Sequence, residues 1–195
     1  MAYQTIVGID EVGRGPLAGP VVACALVAKI EFSLRDSKKL SAQKREYIYR
    51  LLQQAKEVEW GIGRVSEIVI DEINIFEATK LAMRRALYNL KRKLKKQNRT
   101  PDFLIIDGNF SIHVRTPQKS VVKADETIFV CTAASIIAKV TRDRIMQRYH
   151  LLYPKYGFDK HKGYGTKYHR EMLQKYGACD IHRKSFKPLA EWEKL

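Results

Sequence analysis

Hydrophobic and polar positions alternate in three distinct rhythms along this chain. Short apolar runs come first. Tyr3 to Ile9 and Val21 to Ala28 are too short and too β-rich for helices and predict buried strands, paired antiparallel. Between them lies Gly8-Ile9-Asp10-Glu11-Val12-Gly13-Arg14-Gly15, where a strand runs into two adjacent carboxylates and a Gly-Arg-Gly turn. The first strand is predicted to end there, because adjacent strand residues point to opposite faces and the two acids could otherwise not act together. Val58 to Val65 alternates Val58, Trp60 and Ile62 with Glu59, Gly61 and Gly63, and reads as a half-buried third strand. The run Phe103-Leu104-Ile105-Ile106 within Pro101 to Asp107 predicts a buried strand that follows a long helix and lies parallel to the first. It too ends on a carboxylate, Asp107.

Helical spacing fills the intervals. Ser41 is a good N-cap for a helix to about Lys56, with Tyr47, Ile48, Leu51, Leu52 and Ala55 on its apolar side. Ser66 caps a short helix to Ile73. Asn74 starts a long one to about Gln97, with Phe76, Leu81, Met83, Leu87, Leu90 and Leu94 as its core stripe. Its basic end, Lys91 to Lys96, is a solvated face or a nucleic-acid contact. Ser111 to Val122 is turn-rich with room for short strands. Lys123-Ala124-Asp125-Glu126 opens a helix to about Leu152, ended by Tyr153-Pro154. Tyr156 to Thr166 is a loop of Gly, Lys and aromatic residues. Thr166 caps a helix to Tyr176, stopped by Gly177, and Ala178 to Leu195 closes the chain with a short helical end.

The 195 residues suffice for one full core, and 45% are hydrophobic. Thirty-six Lys and Arg against 21 Asp and Glu give a net charge of +15. A charge of that size points to a polyanionic partner, although it also serves solubility. Three dispersed cysteines argue against a disulfide framework and for a reducing compartment. No stretch reads as a signal peptide or a bilayer span, so the expectation is a cytoplasmic protein with no membrane partner. A dinucleotide fold is excluded, because a strand and not a helix follows the glycines.

Candidate chemistry gathers at strand ends. Ligands in open α/β sheets collect beyond the carboxyl ends of the strands, which makes Asp10 and Asp107 predicted neighbours. Asp10 and Glu11 are either half of a divalent-metal site beside a phosphate-binding turn or a solvated loop. Asp125 is either a helix cap or a fourth ligand, since the small run Cys131-Thr132-Ala133-Ala134-Ser135 lets its helix come close to the sheet. An all-oxygen set of this kind suits Mg²⁺ or Mn²⁺. Two such ions about 4 Å apart serve phosphodiester hydrolysis. Cys179-x-x-His182 lacks the second pair that a structural zinc needs.

Read together, these pieces resemble the ribonuclease HII family. The resemblance rests on Gly8 to Pro20, Asp36-Ser37-Lys38-Lys39-Leu40-Ser41, Asp107-Gly108-Asn109, Lys123-Ala124-Asp125, Ala134 to Asp143, His161-Lys162-Gly163-Tyr164-Gly165-Thr166 and His182-Arg183-x-Ser185-Phe186-x-Pro188. It covers nearly the whole chain. It implies an α/β fold, a ribonuclease H-like mixed five-stranded sheet flanked by helices with a C-terminal helical extension. Residues 1–195 would form one catalytic domain, with a sheet-and-helix core to about 155 and a helical part from about 156.

The resemblance also implies that Asp10, Glu11, Asp107 and Asp125 bind two divalent cations, Mg or Mn, and carry catalysis. Gly13, Arg14 and Gly15 would contact the ribonucleotide, its 2′-OH and the scissile phosphate. Tyr164, otherwise an ordinary half-buried aromatic, would pack on the next sugar, and Lys38 would meet a backbone phosphate. The implied substrates are RNA–DNA hybrids and duplex DNA carrying single ribonucleotides. Cleavage would fall 5′ to the ribonucleotide and leave 3′-hydroxyl and 5′-phosphate ends. The expected state is a monomer, and with no clamp-binding motif evident a sliding clamp stays open as a partner. A non-catalytic nucleic-acid binder and a DNA-acting nuclease of the same superfamily are the alternatives.

Overall fold

The computed structural model describes residues 5–29 and 40–192. Lys38 and the rest of its loop lie outside them. The strands are β1 (Ile6–Val12), β2 (Val21–Ala28), β3 (Val58–Val65), β4 (Phe103–Asp107) and β5 (Gln118–Val121). They form one sheet in the order β3-β2-β1-β4-β5. The β1–β2 and β2–β3 pairs are antiparallel, while β1–β4 and β4–β5 are parallel. The sheet is therefore mixed and five-stranded, as the family resemblance implies.

Helices α1 (Ala42–Gln54), α2 (Glu67–Lys95), α3 (Ala124–Thr127) and α4 (Phe129–Leu152) surround the sheet. One face packs on α2 through Val7, Ile9, Ala23, Ala25, Met83, Leu87 and Leu90. The other packs on α1 and α4 through Cys24, Leu26, Leu52, Ala134, Ile137 and Ala138. Close approach on both sides needs glycine. A Cβ on Gly63 would lie 1.9 Å from the Ala82 carbonyl oxygen of α2, and one on Gly8 would lie 2.4 Å from the Val130 carbonyl carbon of α4. The second contact is what the small run after Val130 predicts.

The C-terminal part holds a 3₁₀ turn (Pro154–Tyr156), α5 (Phe158–His161), α6 (Lys167–Tyr176) and α7 (Leu189–Trp192). It has its own apolar cluster, in which Tyr156, Phe158, Leu173 and Ile181 pack on Leu17, Ala18 and Met146. That cluster ties it to the segment after β1. Among the described residues no helix is long and apolar enough to cross a membrane.

Local signals decide most boundaries. Ser41 and Thr166 accept from the backbone N–H groups of Lys44 and His169, and Gly177 ends α6 at positive φ. Asn74 interrupts α2 with φ 65° and ψ 165°, and its Oδ1 caps the second segment by accepting from Phe76 and Glu77.

Some expectations need correction. β1 does not stop at Ile9. Its pairing with β4 ends at Ile9 with Ile106, but its pairing with β2 continues to Val12 with Val22. The helix expected from Lys123 to Leu152 is broken at Ile128, which takes extended angles between α3 and α4. Phe76 lies outside the core stripe, half exposed and edge-on to Phe110. The expected loop from Tyr156 contains the single turn α5.

Candidate active site

The sheet opens where β1 and β4 part company. Beyond Ile9 and Ile106 the two strands no longer pair with each other, and each next residue is an aspartate. Even-numbered positions of β1 face α4, because Gly8 meets Val130 and Val12 joins the α4-side cluster. Asp10 therefore faces α4. The break at Ile128 turns the one-turn α3 back over the strand ends and buries Asp125 completely. One oxygen from each of Asp10, Asp107 and Asp125 lies within 4.8 Å of the others.

Hydrogen bonds hold the three in place. Asp10 Oδ1 accepts from the Glu11 N–H at 2.7 Å. Asp107 Oδ1 accepts from the Ala124 N–H at 2.7 Å, so Asp107 caps the helix on which Asp125 sits. The Thr132 hydroxyl of α4 donates to the Asp125 carbonyl at 2.7 Å and secures α3 across the break. Asp125 itself is thus not the cap that its position in the sequence suggests.

Glu11 stands apart from this trio. On the strand it points to the α2 face, and its Oε1 takes an ion pair from Arg14 Nη1 at 3.3 Å. It still lines the same cavity, of about 320 Å³, together with Asp10, Asp107, Asp125, Ser135, Lys139, Arg45 and Tyr164. Its Oε2 is buried without a hydrogen bond among the described residues. Burial raises the pKa of Asp10 well above its ordinary value, and the charges of Glu11 and Asp107 add to the effect. Burial raises Glu11 as well, against the opposing pull of Arg14. Acids crowded this way hold a cation or a proton. The donor set is all oxygen, so the site fits a hard divalent cation.

The Gly-Arg-Gly turn and Tyr164 stand at the rim of the cavity. Gly13 has φ +93°, and a Cβ there would meet the Arg142 guanidinium at 2.2 Å. Tyr164 is 42% exposed, and its ring comes 3.8 Å from where a Gly15 Cβ would lie. Its backbone is held at both ends. Its N–H donates to the His161 carbonyl at 2.9 Å, and its carbonyl faces His169 Nδ1 at 3.0 Å.

A carbonyl only accepts, so His169 Nδ1 carries the proton and its Nε2 is the acceptor for His182 Nε2, 3.0 Å away. His182 Nδ1 then accepts from the Cys179 N–H at 2.9 Å. Burial lowers His169 and His182 to about 4 each, so both are neutral at physiological pH. Cys179-x-x-His182 is thus part of a hydrogen-bonded chain that ends on Tyr164.

Two buried arginines hold this rim, and the sequence reading assigned neither a role. Arg142, fully buried on α4, donates to the carbonyls of Pro20, Ala18 and Lys162 at 2.9, 3.0 and 2.9 Å. Arg183, also fully buried, donates to Gly13, Arg14 and Gly19. The available signal was the stripe Ala134, Ala138, Arg142, Met146, which places a cation at i+4 spacing on an apolar helix face. A larger cavity of about 590 Å³ opens alongside, between α1 and α4, with Arg45, Arg50, Arg144 and Lys162 among its lining residues. It lacks the aspartate trio that lines the smaller one.

A mixed sheet with clustered aspartates at a strand crevice defines a class of α/β proteins whose site is compatible with a divalent metal. Within that class, residues 7–189 match the family model described as Ribonuclease HII, and the chain belongs to that family of nucleases. It is 48% identical over 192 residues to the ribonuclease HII of Chlamydia trachomatis serovar D, covering 97% of this chain and 85% of that one. Among solved structures it is similar to one titled as the PCNA:RNase HII complex from Archaeoglobus fulgidus. The TM-score there is 0.76 at 27% identity, over 94% of this chain and 95% of that one. The ribonuclease H2 of Pyrococcus horikoshii OT3 matches with TM-score 0.76 at 25% identity, over 98% of both chains.

Proposed function

We propose that this chain is an endoribonuclease that cuts the RNA strand of RNA–DNA hybrids and cuts 5′ to single ribonucleotides embedded in duplex DNA. The products carry 3′-hydroxyl and 5′-phosphate ends. The observation that carries the reading is the aspartate trio, within 4.8 Å at the β1–β4 crevice, beside a glycine turn and an exposed tyrosine. In this proposal residues 1–195 work as one monomeric catalytic unit, since the core supplies the carboxylates and the C-terminal part supplies Tyr164.

Asp10, Asp107 and Asp125 would hold two divalent cations, Mg or Mn, and Glu11 would complete the set once released from Arg14. When bound, such ions activate a water and stabilise the leaving oxygen of the phosphodiester. The chain's own groups do the rest. The Gly13-Arg14-Gly15 turn meets the ribose, and a backbone that reads a 2′-OH separates RNA from DNA. Tyr164 packs against the sugar that follows. Lys139 on α4, paired with Asp143 at 2.7 Å, lines the wall of the cavity. Cellular roles in ribonucleotide excision and primer removal, in the cytoplasm, follow from that substrate choice.

The test is cleavage of an end-labelled DNA duplex with one ribonucleotide, in Mg²⁺ or Mn²⁺, beside an all-DNA duplex. One cut 5′ to the ribonucleotide, missing from the control and abolished by chelator, is expected. Tight binding without any cut would replace the proposal with a non-catalytic binder. Cutting of the all-DNA duplex would replace it with a DNA nuclease.

A further inference from the structure

The side chain of Arg183 forms an unusual anchor. It is fully buried, and its hydrogen bonds go to main-chain carbonyls rather than to a carboxylate. Nη2 donates to Gly13 O at 2.6 Å and to Gly19 O at 2.7 Å. Nη1 donates to Arg14 O at 2.9 Å, and Nε to Gly19 O at 2.9 Å. The backbone around it is pinned too. The Arg183 N–H donates to Leu17 O at 2.8 Å, the Gly19 N–H donates to Ile181 O at 2.8 Å, and Ala18 bridges His182. The guanidinium cannot drift from the turn it holds.

The consequence lies in peptide geometry. In a trans peptide the C=O and N–H of one unit point in opposite directions. Gly13 O and the Arg14 N–H belong to one unit, and Arg14 O and the Gly15 N–H to the next. Both carbonyls point inward to Arg183, so both N–H groups point away from the buried guanidinium. Neither finds a backbone or side-chain acceptor among the described residues. A cation at the carbonyl end also polarises each unit and strengthens the donor at its other end.

We propose that Arg183 is a positioning residue for ribose recognition: it holds two successive peptide units so that the Arg14 and Gly15 N–H groups face the ribonucleotide. This rests on the function proposed above and deepens it. A lysine in its place keeps the charge but lacks the planar fork that reaches three carbonyls at once.

The experiment measures binding, with Ca²⁺ replacing the catalytic ion, to a duplex containing one ribonucleotide and to the same duplex in all-DNA form. Wild-type protein should prefer the first. Arg183→Lys, shown to be folded by thermal melting, should lose about tenfold of that preference, the equivalent of one hydrogen bond. Its affinity for all-DNA duplex should stay the same. A merely structural defect would lower both affinities together, and an unchanged preference would overturn the proposal.

If Arg183→Lys does not fold, wild-type amide resonances decide. The Arg14 and Gly15 N–H signals should move with the ribonucleotide duplex and stay in place with the all-DNA one. Equal movement with both would overturn the proposal. Absence of any wild-type preference, read before a variant is made, would remove the functional reading and this inference with it.

Discussion

Asp10 shows how much strain one residue of this site carries. It is buried beside two other acids, and its pKa is raised. A carboxyl group raised in the folded state favours folding below its unfolded pKa, and that contribution is lost as pH rises through the folded value. Ionising Asp10 in the metal-free protein therefore costs stability. Asp10→Asn should remove that cost and raise the metal-free melting temperature, by about 2–4 °C for each kcal/mol relieved. The same change should cost about 10³-fold in cleavage, several kcal/mol of lost charge stabilisation. Added Mg²⁺ should stabilise the wild type more than the variant, so calorimetric scans with and without the ion check the argument. His169 and His182 have the opposite signature. Both are lowered to about 4 by burial, so the unfolded chain binds more protons between about 6.5 and 4. Stability should fall as pH drops through that window, and His182→Gln should flatten the fall in a series of melts. Of these residues, Asp10 and Asp107 were legible in the sequence because each follows a short apolar run, whereas the sequence around Asp125 reads either as a cap or as a ligand. The separation of Glu11 from the trio was not legible, because it depends on β1 staying extended through Val12, and that pairing is made by β2.

At the scale of elements, the periodicity was informative wherever a local group sets a boundary. Ser41, Asn74, Thr166 and Gly177 end or start helices through their own side chains or φ angles. The break at Ile128 was not legible, because no Gly or Pro marks it. It is maintained by distant partners, with Asp107 on the Ala124 N–H and Thr132 on the Asp125 carbonyl. Two glycine contacts separate packing from function. Gly63→Ala and Gly8→Ala both force a Cβ into main chain, and each should cost about 1–3 kcal/mol in denaturant unfolding. Only Gly8→Ala displaces α4 from the strand that carries Asp10, so it alone should also weaken Mn²⁺ binding in a calorimetric titration. The C-terminal part has a comparable tether. Asp71 of α2 accepts from the Lys184 and Ser185 N–H groups and the Ser185 hydroxyl at 2.8, 3.0 and 2.6 Å. Asp71→Ala should cost about 1.5–3 kcal/mol and speed amide exchange in residues 178–192, the segment that delivers Arg183 to the turn.

The whole molecule adds what no single element supplies, a net charge of +15 beside a buried anionic site. The two act on different steps. Surface cations attract the substrate backbone and release its counterions, so the logarithm of affinity should fall linearly with log salt, with a slope of about −0.9 per phosphate contacted. Asp10 and Asp125 are buried and Asp107 is partly so, so the trio is screened less than the surface cations. Raising salt should therefore raise KM steeply and leave kcat nearly constant. Composition made the sign of this effect legible, but which cations matter was not, because many are already engaged. Arg144, for example, is paired with Glu46 at 2.6 Å. Arg50, on the wall of the larger cavity, reaches the same acid only at 3.4 Å and is 70% exposed in its side chain, which leaves it available to a phosphate. Arg50→Ala should therefore reduce the salt slope by about 1, read from binding isotherms at several salt concentrations. An unchanged slope would mean that the duplex does not follow the groove between α1 and α4 away from the catalytic cavity. A kcat that fell in step with affinity would mean that salt reaches the carboxylates themselves, against their burial.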